Sequence, residues 1–157
     1  MRIGCGYDSH RFDEARALVL GGVAIPGSPG LKGHSDADAL AHAVIDALLG
    51  AAALGDIGGH FPDTDPRWAG VDSMILLAQV VDEIHHTGYS IGNIDATVIC
   101  ERPRPSPHIP AIRARLADAL RIDAARGSVK GKTNEGMGPI GAGEGIAVHC
   151  VALLEQS

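Results

Sequence analysis

One stretch limits what this chain can fold into: Gly33 to Asp65, GHSDADALAHAVIDALLGAAALGDIGGHFPDTD. It carries no Lys or Arg, six aspartates (Asp36, Asp38, Asp46, Asp56, Asp63, Asp65) and three of the eight histidines (His34, His42, His60). Its Ala/Leu-rich middle predicts a buried helix with Leu40, Val44, Ile45, Leu48, Leu49 and Ala52 on the apolar surface. Asp38, His42 and Asp46 recur at i, i+4 and i+8 and form one polar stripe along it. Such a stripe must find partners, and carboxylates beside imidazoles are commonly satisfied by a cation. A lone helical His is more often simply hydrogen-bonded, so a metal role for His42 depends on ligands elsewhere. Ser35 or Asp36 is the expected N-cap and Gly55 the expected stop. Asp56 to Pro66 reads as irregular, a loop whose Ile57 and Phe61 suit folding over something.

Before this stretch, Arg2 to Phe12 reads as a strand. Gly4 and Gly6 predict close backbone approach, and Asp8 and His10, two apart, share one face. Ala17–Leu20 and Val23–Ile25 form a hairpin around Gly21-Gly22. After it, Asp72 caps a helix over Ser73–His86 that Gly88 stops. His85-His86 in its last turn read as structural. Tyr89 to Glu101 alternates into a strand. RPRPSPHIP (Arg102 to Pro110) is a stiff basic connector, and Ser106-Pro107 opens a third helix through Leu120. Ser128 to Thr133 is a strand with Lys130 and Lys132, Asn134 to Gly143 a glycine-rich loop, and Gly145 to Leu154 the closing strand. The order β, β, α, α, β, α, β, β predicts an α+β two-layer fold.

At 157 residues the chain suits one domain, 1–157, with a core of Ala, Val, Leu and Ile, because aromatics make up only 3%. A net charge of −6 leaves no basic stripe for nucleic acid. No apolar run reaches membrane-spanning length and no signal peptide is recognisable, so the expectation is a cytoplasmic protein, or one of a plastid-like compartment only if a transit peptide is missing from this chain. Cys5, Cys100 and Cys150 are odd in number and far apart, which fits reduced thiols, each buried and inert in a strand-like run.

Asp8, His10 and His42 together offer one carboxylate and two imidazoles, the ligand count of a catalytic zinc site with one open position. Lys132, Thr133 and Glu135 add a cation, a hydroxyl and a carboxylate: the first two suit phosphate oxygens, and Glu135 could hold a hard ion such as Mg²⁺ on them. These residues are also compatible with a metal-dependent phosphohydrolase, or with a non-catalytic nucleotide- or metal-binding module.

The motifs themselves resemble a known family. G-x-D-x-H (Gly6, Asp8, His10), GHSDAD-x-L-x-H (Gly33 to His42), GDIG-x-x-FPDTD (Gly55 to Asp65), PHIP (Pro107 to Pro110), Lys130 to Glu135 and G-x-GEGIA (Gly141 to Ala147) are similar to the 2-C-methyl-D-erythritol 2,4-cyclodiphosphate synthases of the non-mevalonate isoprenoid pathway, nearly end to end. The resemblance implies a homotrimer whose active sites lie between subunits. It implies a four-stranded mixed sheet with three helices on one face and a small hairpin, the sheets lining a central prism. It implies cyclisation of 4-diphosphocytidyl-2-C-methyl-D-erythritol 2-phosphate, with release of CMP, by a phosphorus–oxygen lyase. Zinc would sit on Asp8, His10 and His42, and a second divalent ion, Mg²⁺ or Mn²⁺, on Glu135. His34 and Thr133 match the transition-state-stabilising positions, with His34 and Ser35 at a helix N-terminus that favours an anion. Asp56, Ile57, Gly58, Phe61, Pro62, Asp63, Thr64 and Asp65 match the methylerythritol side. Cys100, Arg104, Ser106, Lys132, Thr133 and Asn134 match the nucleotide side. Where many members carry Phe and Arg in the last glycine-rich loop, this chain has Pro139 and Ala142, so an isoprenoid diphosphate on the trimer axis is expected to bind weakly or not at all.

Overall fold

The opening alternation runs further than its first apolar residues suggest. In the computed structural model, which describes residues 1–157, β1 spans Arg2–Leu20 and turns through Gly21-Gly22, both at positive φ, into β2 (Val23–Leu31). Then come α1 (Ala39–Ala52), the one-turn α2 (Ile57–His60), a 3₁₀ turn at Pro66–Trp68 and α3 (Ser73–His86). β3 (Tyr89–Ile99) leads through a 3₁₀ turn at Ser106–His108 into α4 (Ile109–Leu120). β4 (Gly127–Lys132), the one-turn α5 (Gly138–Gly141) and β5 (Gly145–Gln156) close the chain.

The strands form one mixed sheet in the order β2-β1-β5-β3-β4, antiparallel except for the β3–β4 pair. The expected four strands are therefore five. The hairpin is not an appendage, because the N-terminal half of β1 pairs with β5 while its C-terminal half pairs with β2. One cluster of 35 buried residues fills the space between sheet and helices, almost entirely aliphatic, as the scarcity of aromatics requires.

Other expectations need correction. The N-cap of α1 is Asp38, not Ser35 or Asp36; its carboxylate accepts from the amides of Leu40 and Ala41. The helix stops at Ala53 in the left-handed conformation rather than at Gly55, its amide bonding back to the Leu49 and Gly50 carbonyls. Asp56 to Pro66 is not wholly irregular, since the Asp56 carboxylate caps α2 on the Gly59 amide. Cys5 is exposed whereas Cys100 and Cys150 are buried, because alternation turns Cys5 to the face of β1 away from the helices.

The contact that positions the site is β1 on α1. A Cβ on Gly6 would stand 1.9 Å from the Ala43 carbonyl oxygen, and one on Gly4 2.0 Å from that of Ala47. Strand and helix backbones can touch only because these residues have no side chain. Two and four residues beyond Gly6, on the same face, Asp8 and His10 arrive beside His42. The other sheet face carries exposed Ile3, Tyr7 and Val151, at 73%, 53% and 45% of full exposure.

Candidate active site

The Asp8 carboxylate meets both imidazoles: Oδ2 lies 2.8 Å from His10 Nε2 and 3.0 Å from His42 Nδ1, and the two nitrogens are 3.4 Å apart. The edge of a tetrahedron of zinc-bonding donors is about 3.3 Å, from metal–ligand bonds near 2.0–2.1 Å. The trio is thus already spaced as three corners of such a site, and these three residues could hold a metal ion.

Outer contacts orient each ring. His10 Nδ1 donates to the Lys32 carbonyl (2.6 Å), leaving Nε2 for a cation. His42 Nε2 lies 2.8 Å from Ser73 Oγ and 3.1 Å from Ser35 Oγ, leaving Nδ1. The Ser73 hydroxyl donates in turn to Asp36 (2.5 Å), whose carboxylate also accepts from the amides of Ser73 and Asp38. Nothing in the sequence singles out Ser73 or Lys32 for these roles, and Asp36 reads there only as a capping residue. Its place in the GHSDAD run is the one clue the sequence offers.

Burial raises the Asp8 carboxyl, but hydrogen bonds and charge from His10 and His42 outweigh it and hold the group well below the usual carboxylate range. Burial lowers the His10 imidazole, and the Asp8 carboxylate more than reverses this, so the ring is raised above its ordinary value. A metal ion must displace a proton from such a pair.

The polar stripe of α1 divides its work differently from expectation. Only His42 joins the metal-type cluster. Asp38 is fully buried, its carboxyl raised by burial, and it accepts amides of Gly21 and Gly22 as well as its capping bonds. Asp46 accepts the Ile57 amide (2.8 Å), tying α2 to α1. Backbone donors, not a cation, satisfy both.

The cluster borders a cleft of about 460 Å³. Gly33, His34 and Ser35 line it together with Ile57, Gly58, Phe61, Pro62 and Asp63 from the loop, and with Trp68 and Leu76. Trp68 packs edge-on against Phe61 (centroids 5.1 Å apart, planes at 83°), and its buried indole N–H has no partner. Asp56 and Asp65 face elsewhere: Asp56 caps α2, and Asp65 forks onto Arg67, which holds its carboxyl below the usual range. The Asp65 carbonyl lies 3.1 Å from His34 Nε2. Thr64 does not line the cleft. His34 and Ser35 do not sit on a helix N-terminus either, since α1 begins at Ala39 and Asp38 occupies its end.

The nucleotide-side residues lie elsewhere. Arg104 and Thr133 line a separate groove of about 690 Å³ with Gly27, Ser28, Pro29, Glu101, Arg102 and Pro103. The Thr133 hydroxyl donates to Glu135 (2.8 Å), and Glu135 has φ +51. The Glu101 carboxylate holds the Asn134 amide. Cys100 gives its Sγ–H to the Pro103 carbonyl, and burial pushes its thiol up to about 11. Lys132 ends β4 and Ser106 starts the 3₁₀ turn before α4. The two clefts share no residue. β5 and β3 stand between β1 and β4, three inter-strand steps or about 14 Å.

With this geometry in place, comparison with known proteins is specific. The model of the YgbB family matches residues 1–155. A protein of Gloeobacter violaceus named 2-C-methyl-D-erythritol 2,4-cyclodiphosphate synthase is 57% identical over 156 residues, 99% of this chain and 96% of that one. One of the same name from Trichlorobacter lovleyi is 57% identical over 154 residues, 98% of each chain. Among solved structures, the CDP-bound form of a 2C-methyl-D-erythritol-2,4-cyclodiphosphate synthase superposes with TM-score 0.90 at 40% identity, over 98% of this chain and 100% of that one. The bifunctional IspDF of Campylobacter jejuni gives 0.96 at 42% identity, this chain covering 42% of its length and 99% of its own.

Proposed function

The chain belongs to the YgbB family, and from that premise we propose that it closes 4-diphosphocytidyl-2-C-methyl-D-erythritol 2-phosphate into 2-C-methyl-D-erythritol 2,4-cyclodiphosphate. It acts as a phosphorus–oxygen lyase, with residues 1–157 as one synthase domain. An oxygen of the 2-phosphate attacks the β-phosphorus, the bond from that phosphorus to the α–β bridging oxygen breaks, and CMP leaves. The observation that carries this reading is the Asp8–His10–His42 cluster bordering a cleft that also presents the apolar Ile57, Phe61, Trp68 and Leu76.

Nucleophile and leaving group are both phosphates, so catalysis rests on position and charge. A divalent ion such as zinc on Asp8, His10 and His42 would supply Lewis-acid polarisation of the β-phosphate. Glu135 would hold a second ion, Mg²⁺ or Mn²⁺, on the diphosphate. His34 and Ser35 bind the phosphate beside the cluster. Ile57, Phe61 and Pro62 cover the methyl-bearing side of the polyol and Gly58 and Asp63 face its hydroxyls; Asp56, Thr64 and Asp65 would reach them only if the loop closes over the bound substrate. Cys100, Arg104, Ser106, Lys132, Thr133 and Asn134 hold the cytidine diphosphate, with Thr133 and His34 steadying the transition state.

In one subunit the two groups of residues are separate, and this supports a homotrimer in which each site is completed by a neighbour. No helix is long and apolar enough to cross a membrane; the proposal of a cytoplasmic enzyme rests on the family reading, not on this absence. Phosphorus NMR after substrate addition tests the reading. A cyclic diphosphate plus CMP is expected; a linear product would indicate hydrolysis, and no turnover by zinc- and magnesium-loaded protein would overturn it. Light scattering should show a trimer, and a monomer active at working concentration would refute the shared site.

A further inference from the structure

The residues from Lys32 to Asp38 belong to neither strand nor helix, yet they are tightly specified. Four consecutive carbonyls are held from outside: Lys32 by His10 Nδ1 (2.6 Å), Gly33 by Arg16 Nη1 (2.5 Å), His34 by the Gly70 amide (2.8 Å), and Ser35 by Arg16 Nη2. The amides on either side are also paired, Lys32 N with the Arg11 carbonyl (2.8 Å) and Asp36 N with that of Val71 (3.0 Å). Between them the N–H groups of Gly33, His34 and Ser35 have no acceptor in the chain, and these are the residues that line the cleft beside Asp8 and His10. Successive unpaired amides make an anion-binding concavity. In a trans peptide, the carbonyl of one residue and the N–H of the next point in opposite directions. Whatever fixes the Gly33 carbonyl therefore aims the His34 N–H.

Arg16 reaches these carbonyls because of an irregularity in β1. Asp13 pairs with Gly30 and Ala17 with Pro29, so four residues of β1 advance against one of β2. The Asp13 carboxylate accepts the Ala15 amide within the resulting bulge. Gly30 makes room beneath it, since a Cβ there would lie 2.5 Å from the Ala17 carbonyl oxygen. The bulge throws the half-buried Arg16 side chain across onto Gly33 and Ser35.

We propose that Arg16 is a positioning residue for the cyclisation: its guanidinium clamps the carbonyls on both sides of His34 and so presents the His34 amide to the phosphate in the cleft. Arg16 does not line the cleft and acts only through the backbone it holds. A planar fork suits this, because two carbonyls two residues apart take two donors of one rigid group; a lysine ammonium on its flexible stem holds no such fixed geometry. The inference rests on the cyclisation reading.

The test compares zinc-loaded wild type, Arg16→Ala and Arg16→Lys for turnover, zinc content, melting temperature and calorimetric binding of inorganic pyrophosphate. Losing one preorganised backbone donor predicts a kcat lower by roughly 100-fold in Arg16→Ala. Arg16→Lys should fall between that variant and wild type. Zinc content should stay at the wild-type level, pyrophosphate should bind more weakly, and added methylguanidinium should restore part of the Arg16→Ala rate. Turnover of Arg16→Ala within about twofold of wild type would overturn the proposal. So would a loss that neither lysine nor methylguanidinium relieves, which marks a merely structural role. If Arg16→Ala does not fold, wild-type kcat in Arg16→Lys would refute the fork. A wild type that forms no cyclic product defeats the cyclisation reading instead, and pyrophosphate binding by the variants still decides the clamp.

Discussion

Replacing Ser73 by alanine should weaken metal binding while leaving the fold in place. The Ser73 hydroxyl lies between Asp36 (2.5 Å) and His42 Nε2 (2.8 Å), so it passes the orienting influence of a carboxylate to a ligating ring. Outer partners of metal-bound histidines are commonly worth 10–100-fold in affinity. Here the low end applies. Ser35 Oγ stays 3.1 Å from the same nitrogen, and Asp36 keeps the amides of Ser73 and Asp38. The Asp72 cap on the Met74 amide is untouched, so α3 keeps its start. The expected loss is about tenfold, or about 1.4 kcal/mol. With Ser35→Ala added, the ring loses both hydroxyls and the loss should approach about 100-fold, or about 2.8 kcal/mol. Zinc affinity is read by chelator competition, with thermal melting of the metal-free forms as control. A double variant that binds zinc as tightly as wild type would show that neither hydroxyl orients His42.

Three further outcomes are expected. Gly6→Ala should cost about 3 kcal/mol, the upper end for overpacking, because the new Cβ meets the backbone of Ala43 and Ala47 rather than a side chain that can turn away; an unchanged denaturant midpoint would contradict the strand–helix contact. Cys100 and Cys150 are buried, their thiols pushed up to about 11 and about 12, while Cys5 is exposed on the open sheet face; a thiol reagent should modify one cysteine, Cys5, in the isolated folded subunit, and three thiols of similar reactivity would refute this. Farnesyl diphosphate should bind weakly or not at all along the axis of the proposed trimer, because Met137 to Gly143 offers no cation to a buried diphosphate; micromolar binding by calorimetry, lost on blocking the axis, would show otherwise.

Local regularities were legible in the residues alone. Period-2 alternation put Asp8 and His10 on one face with Gly4 and Gly6, helical spacing brought out α1 and α3, and Asp72 capped α3 as its position promised. These properties repeat along the chain, so a one-dimensional reading captures them. The partners of polar groups were not legible. Asp38 and His42 stand on one stripe, yet one turns to backbone amides and the other to Asp8, and only the β1–α1 contact decides which. Ser73 reaches His42 across 31 positions, and Arg16 reaches Gly33 and Ser35 through a bulge that no periodicity announces. Every residue offers the same carbonyl oxygen, so a bond to the backbone leaves no mark on residue identity. The separation of the metal cluster from Arg104 and Thr133 is likewise a matter of strand order: β5, the last strand in the chain, lies between the first and third. Sequence brought out the faces of the elements; tertiary packing chose which faces meet, because that choice depends on backbone shape and distance, which the identity of the residues does not carry.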